Sequence, residues 1–353
     1  MSTYERIAEL PLEIDSYALE TLSYSPGPEF ERLTTVIQIS HDGLTGNGED
    51  VTYEGLDAIA LADAGSYLDL TGPRTIGEFC ELMGTTDLFP VAPEREVSRN
   101  YRRWAFESAA VDLACKQADT DLAAVLGREL SPLTFVASMG LGGGPGGKQS
   151  DVGLLEAKLD RYPSLKFKLD PALDWDQDLI DKLVATGAVN TLDLKGQYKG
   201  TPVDIETDPQ LYQRLVDAFP DAWFEDPDLT DETREVLRPI MDRVTWDAPI
   251  HSVADIQALE YKPKVINIKP SRLGGLESLL NAYDYCAAEG ITAYGGGQWE
   301  LGVGRDQIQY LAALIHPDAP NDTAPRGYNS PKPEPGLPVS PMEVPSIGFG
   351  IPN

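Results

Sequence analysis

Cysteine, histidine and positive charge are all scarce in this chain of 353 residues, and each scarcity removes a class of protein. Cys80, Cys115 and Cys286 lie far apart without paired spacing, so neither a disulfide framework nor a zinc site is expected. They read as reduced and buried. No N-terminal apolar stretch has the form of a signal peptide, and no run is long enough to span a bilayer, which leaves the cytoplasm as the expected compartment. Lys and Arg number 28 against 57 Asp and Glu, a formal charge of -29. That field disfavours nucleic acid and anionic membrane as partners. Only His41, His251 and His316 are present, none at an expected strand end with a partner, so histidine is not expected to carry acid–base chemistry.

The texture that remains is periodic. Residues 1–125 read as an α+β unit, with strands near Glu13 to Leu22 and Leu33 to Ser40. The second strand leads into Thr45-Gly46-Asn47-Gly48-Glu49, where the glycines read as turns. Helical patterns cover Leu56 to Ala64, Thr75 to Met83 and Asn100 to Leu126. Across 126–328, short apolar strands beginning at about Leu133, Leu165, Thr191, Ala222, Val244, Val265 and Ile291 alternate with amphipathic helices. Strands apolar on both faces imply a parallel sheet, and this number of repeats fits a closed barrel of the (β/α)7β TIM type. Residues 329–353 are rich in Pro and Gly and read as an extended tail returning along the first domain. Gly142 to Lys148 has the opening of a phosphate-binding loop, but Gln149 stands where a Ser or Thr is required and Pro145 removes an amide, so a flexible border loop is expected instead.

In such a barrel, chemistry belongs at the carboxyl ends of the strands. Successive ends carry Lys166 and Lys168, then Asp193, Glu225, Asp247 and finally Lys269. Charge there is costly unless used. Three carboxylates on neighbouring strand ends make an oxygen-rich nest for a hard divalent cation, with Mg2+ favoured and Mn2+ the substitute. Lysines on strands two and six would flank whatever the ion holds, an arrangement suited to removing a proton α to a carboxylate and giving an enediolate.

These residues carry a resemblance to the enolase superfamily, in its muconate lactonizing enzyme subgroup. It covers almost the whole chain, and its most specific stretch is Ile266-Asn267-Ile268-Lys269-Pro270-Ser271-Arg272-Leu273-Gly274-Gly275. Gly295-Gly296-Gly297-Gln298-Trp299-Glu300-Leu301-Gly302 is similar to the subgroup's strand-seven segment. The resemblance implies that residues 1–125 form a capping domain over the barrel mouth. It makes Asp193, Glu225 and Asp247 the metal ligands, Lys168 and Lys269 the acid–base pair, and Lys166 an electrostatic helper. Substrate contacts are expected from Asn267, from Tyr24 and Tyr53 of the cap loops (with Phe30 as further apolar lining), from Glu300 if it does not merely start a helix, and from Lys195 if it does not make an outward salt bridge.

Two positions depart from the subgroup. Lys195 stands where Asn is usual, and Ala248 where Glu usually follows the third ligand. Strand eight reads Pro320-Asn321-Asp322-Thr323 without Asp-x-Asp, so dipeptide epimerization is not expected. The implied activity is a magnesium-dependent racemase, cycloisomerase or syn-dehydratase acting on a small carboxylate, closest to N-acylamino acid racemase or o-succinylbenzoate synthase. Muconate-type lactonization and a diverged, non-catalytic metal binder are the alternatives, and a homo-oligomer is compatible with either.

Overall fold

A computed structural model of the chain describes residues 2–27, 30–143, 148–201, 204–346 and 348–351. The N-terminal unit is built on a meander of β2 (Ser16–Gly27), β3 (Phe30–His41) and β4 (Leu44–Asp50), after β1 (Pro11–Ile14), which pairs antiparallel with β5 (Gly72–Thr75). A 20-residue helix, Ser98–Gln117, packs along this sheet. Its Ala105, Ala109, Ala110 and Ala114 are buried, so the helix backbone can approach a neighbour closely. The neighbour is β4, and this corrects one expectation: Gly46 and Gly48 are strand residues, not turn residues. A Cβ on Gly48 would fall 2.0 Å from the Ala105 carbonyl oxygen, and one on Gly46 would fall 2.2 Å from that of Ala109.

The expected helix Asn100 to Leu126 is two helices. The first ends at Gln117, Asp119 takes a left-handed φ of 50°, and the Asp121 side chain caps a second helix, Leu122–Leu126, by accepting from Ala124 N. Asp15 likewise divides the expected first strand into β1 and β2.

The C-terminal unit holds five parallel strands in sequence order: β6 (Ala137–Gly140), β7 (Phe167–Asp170), β8 (Val189–Asp193), β9 (Trp223–Glu225) and β10 (Val244–Thr245). A separate parallel pair follows, β11 (Val265–Ile268) and β12 (Thr292–Gly295). Asn267 N donates to Trp246 O at 3.0 Å between the two sheets, and single parallel bridges join Gly296 to Asp322 and Phe135 to Asn321. Among the described residues these links do not make one continuous closed ladder. The chain gives the reason: β10 has only two residues before Asp247-Ala248-Pro249, where proline cannot donate, and the eighth position is bridge-length after Pro320.

Both strand faces are covered, but only one is apolar: the other buries Lys168, Thr191, Asp193, Glu225 and Asn267, which corrects the expectation of strands apolar on both faces. Phe167, Leu169, Leu192, Phe224, Ile266 and Ile268 are fully buried, as the long-range parallel pattern requires. The tail first crosses the C-terminal unit, where Lys158 Nζ donates to the carbonyls of Tyr328 and Ser330 and Met342 bridges Leu133. It then reaches the long helix, where Phe349 stacks edge-on against Trp104 and Gly350 N donates to Asp112. The four central residues of the glycine-rich loop, 144–147, lie outside the described residues, as does the side chain of Phe30.

Candidate active site

The strand ends bring charge together in a buried, polar centre. Lys168 on β7 is 2 % exposed; its ammonium binds Glu225 and lies 3.1 Å from Asp193 Oδ2 and 3.4 Å from Asp322 Oδ2. Glu225 also accepts from the Tyr294 hydroxyl and, at 3.3 Å, from Asn267 Nδ2. Lys269, following β11, donates to Asp247 Oδ2 at 2.8 Å, and Arg272 holds the other oxygen, Oδ1, at 2.7 Å. Two lysines from different strand ends therefore meet buried carboxylates, Lys168 engaged with Asp193 and Glu225 and Lys269 with Asp247.

The electrostatics follow from this crowding. Burial alone would push the Lys168 ammonium down, but Asp193, Glu225, Asp322 and Asp247 outweigh it and hold the amine well above its usual range. Burial raises carboxyls, yet Lys168 and Lys195 keep Asp193 far below the ordinary carboxylate value, and Arg272 with Lys269 does the same for Asp247. Glu225 is pushed up to about 8 by burial and by its acidic neighbours, against the pull of Lys168. Asp226 rises to about 7 for the same reasons without a cation of its own.

The oxygens of Asp193, Glu225 and Asp226 lie within 4.8 Å of one another and could hold a metal ion. Asp247, the third ligand expected from strand order, is not in that group. Asp226 enters it because its backbone turns to a φ of 50°, swinging the carboxylate back over the strand end to accept from Asp247 N at 2.8 Å and Ala248 N at 2.9 Å. The donors suit a hard cation: all are carboxylate oxygens, Asn267 Oδ1 is buried without a hydrogen-bond partner among the described residues, and an ammonium already sits among the acids where positive charge is needed.

Other expected residues fall in different places. Lys166 is exposed just before β7 begins at Phe167 and donates to Gly187 O at 2.7 Å. It is not brought to the centre. Lys195 turns inward, its ammonium on Asp193, so it is not an outward salt bridge. Glu300 is buried as a loop brace, accepting from Gln298 N at 2.6 Å and pairing with Arg305 at 3.2 Å. Tyr53 and Tyr24 are partly exposed on the cap side. The Gln298 amide, oriented so that both its ends are satisfied, donates to Tyr53 Oη at 3.2 Å and accepts from Arg272, while Tyr24 meets Trp299 edge-on at 6.3 Å. Five residues of the centre were not singled out from sequence: Asp170, Tyr198, Arg272, Tyr294 and Asp322. Asp170 was within reach of strand alternation, standing two places after Lys168; Tyr198 and Tyr294 carry no such signal.

The fold is that of solved enolase-superfamily proteins, among them a mandelate racemase/muconate lactonizing protein. The chain belongs to the family described as Domain of unknown function (DUF8230), whose N-terminal domain matches residues 5–125 and whose C-terminal domain matches residues 129–330. An o-succinylbenzoate synthase of Geobacillus stearothermophilus is 26% identical over 319 residues, covering 83% of this chain and 77% of that protein. An N-succinylamino acid racemase of Thermus thermophilus is 26% identical over 337 residues, covering 90% and 84%. Among solved structures, a mandelate racemase/muconate lactonizing protein from Herpetosiphon aurantiacus superposes with a TM-score of 0.69 at 16% identity, over 97% of this chain and 98% of that one. No helix among the described residues is long and apolar enough to cross a membrane.

Proposed function

We propose that this chain is a magnesium-dependent enzyme that removes a proton α to the carboxylate of a small substrate, leading to racemization or to elimination of the o-succinylbenzoate synthase kind. In this reading the two parallel sheets are staves of one (β/α)7β barrel, residues 1–125 cap its mouth, and 329–353 is an appended tail. The supporting observation is the placement of Lys168 and Lys269 on separate strands with buried carboxylates between them. Manganese is the expected substitute ion.

Asp193 and Glu225 are two of the proposed ligands. Asp247 is the third in preference to Asp226. Both oxygens of Asp226 serve backbone amides, whereas the lysine and arginine partners of Asp247 are long side chains that can yield. Asp226 then anchors the turn. When bound, the cation supplies positive charge against the negative charge that develops on the substrate carboxylate.

The protein's own groups do the rest. Lys168 and Lys269 take or return the α-proton on opposite faces of the substrate, each through its Nζ. Glu225, fixed by Tyr294 and Asn267, sets the position of Lys168; Arg272 fixes Asp247 and through it Lys269. Tyr24, Tyr53, Gln298 and Trp299 border the cap side, where apolar lining would exclude water and select the substrate's side chain. The names of the two enzyme relatives support a succinylated substrate class.

The test is solvent deuterium exchange at the α-carbon of a panel of N-acylamino acids and other small carboxylates, followed by NMR with and without magnesium. Exchange that requires magnesium is expected for at least one N-succinylamino acid. Metal binding without exchange on any carboxylate would favour a non-catalytic binder. Asp247→Asn is expected to abolish manganese binding, and loss in Asp226→Asn alone would assign the third ligand to Asp226.

A further inference from the structure

Lys195 lies beside the metal nest in an unusual backbone conformation. Its φ of 54° is in the left-handed region, uncommon for a residue with a Cβ. The turn is fixed from both sides: Gly196 N donates to Asp226 O at 2.8 Å, and a Cβ on Gly196 would fall 2.1 Å from Asp228 N. The consequence is that the side chain folds back over the end of β8. Lys195 N donates to Asp193 Oδ1 at 3.2 Å, and Lys195 Nζ binds Asp193 Oδ2, the same oxygen that lies 3.1 Å from Lys168.

One carboxylate oxygen thus faces two ammonium groups. A divalent cation on Asp193 would place a third positive centre there, within a few ångströms of both, at a site where burial weakens screening. Lys168 is enclosed, with nowhere to go. Lys195 is different: its side chain is 18% exposed, and a second acid stands within reach. Asp170, at the end of β7, has its Oδ1 only 3.5 Å from Lys195 Nζ. That oxygen is covered from solvent and, among the described residues, has no hydrogen-bond donor. The face of Tyr198, 5.3 Å from the same ammonium, lines the region that the amine occupies.

We propose that Lys195 is a displaceable counter-ion: it neutralises Asp193 while the nest is empty and transfers to Asp170 when a divalent cation binds. This rests on the reading of Asp193 as a metal ligand. The lysine is a positioning residue rather than a catalytic one. It keeps the empty centre from accumulating uncompensated negative charge, and the energy of breaking its pair with Asp193 lowers cation affinity. Asp170 recovers part of that loss by receiving the freed amine.

The experiment is a titration of the full chain with manganese, free ion read by electron paramagnetic resonance, with melting temperatures recorded to show that each variant is folded. Lys195→Asn is expected to bind manganese at least tenfold more tightly than wild type, and Asp170→Asn at least threefold more weakly. The double variant separates the lysine from simple loss of a nearby acid: with Lys195 absent, Asp170→Asn is expected to cost less than half its single-variant effect on a logarithmic scale. Unchanged or weaker binding in Lys195→Asn overturns the proposal, as does a full Asp170→Asn penalty in the double variant. Asp193→Asn keeps the two levels apart. If it leaves manganese binding intact, the ligand assignment fails; if it abolishes binding while Lys195→Asn is unchanged, only the role of the lysine fails.

Discussion

Lys166 and Lys168 stand two residues apart, yet Lys166, just ahead of β7, donates to a loop carbonyl in solvent, while Lys168, within it, is enclosed by acids. Alternation applies only inside a strand, and the expected start at Leu165 is two residues earlier than the observed start at Phe167, which leaves Lys166 outside it. Asp193, Glu225 and Lys269 were legible for the opposite reason: each is an ionisable residue closing an apolar strand, a combination with few structural explanations. Asp226 was legible only as an anchor, since its proximity to the acids comes from a left-handed φ that sequence does not announce.

The titration of these acids gives a pH prediction with a definite sign. A carboxyl whose folded pKa is raised holds its proton more tightly when folded. The stability contributed by Glu225 is therefore complete below its unfolded value, about 4.3, and is lost as pH rises through about 8; Asp226 does the same through about 7. Asp193 and Asp247, held low, act in the other direction, with stability present above about pH 4 and lost only as acid protonates their folded forms. The cation-free protein is expected to melt at its highest temperature in mild acid and at falling temperatures toward pH 9. Glu225→Gln is expected to flatten that slope, and calorimetric melts across pH check it. An equal slope in the variant would contradict the assignment.

At the scale of elements, the strands of the C-terminal unit were readable because short apolar segments such as Phe167, Leu169, Leu192 and Phe224, buried under the helices, recur between amphipathic helical stretches. Glycines in the N-terminal unit were misread. A Gly-x-Gly within eight residues of a hairpin usually signals a turn, but Gly46 and Gly48 face the long helix at backbone contact, information held by residues about sixty positions away. Gly48→Ala is expected to destabilise the protein by about 1–3 kcal/mol through overpacking. Gly140→Ala, where an added Cβ meets nothing within 4 Å, is expected to change stability by less than about 0.5 kcal/mol. Denaturant melts of the two variants make the comparison, and equal effects would remove the close-approach account. The break at Asp119 was hidden similarly, since Ala-rich sequence on both sides continues the helical period across it.

For the whole molecule, charge is the dominant feature. With 57 acidic against 28 basic side chains, self-repulsion opposes compaction, and screening relieves it. The melting temperature is expected to rise from dilute buffer to molar potassium chloride; a decrease would mean that exposed pairs such as Lys262–Glu289 outweigh the repulsion. The expected closed barrel is where the sequence reading went furthest from the described residues, which form a five-stranded sheet and a separate pair linked through a two-residue strand and bridge-length contacts at 321–322.

All of these scales meet in the claim that two amines serve one substrate from opposite sides. Its most direct measurement is α-deuterium exchange of the separate D and L enantiomers of an exchanging substrate by Lys168→Ala and Lys269→Ala, both loaded with magnesium. Each variant is expected to lose exchange of one enantiomer by at least a thousandfold while retaining measurable exchange of the other, with opposite preferences. Wild-type rates for both enantiomers in either variant would contradict it.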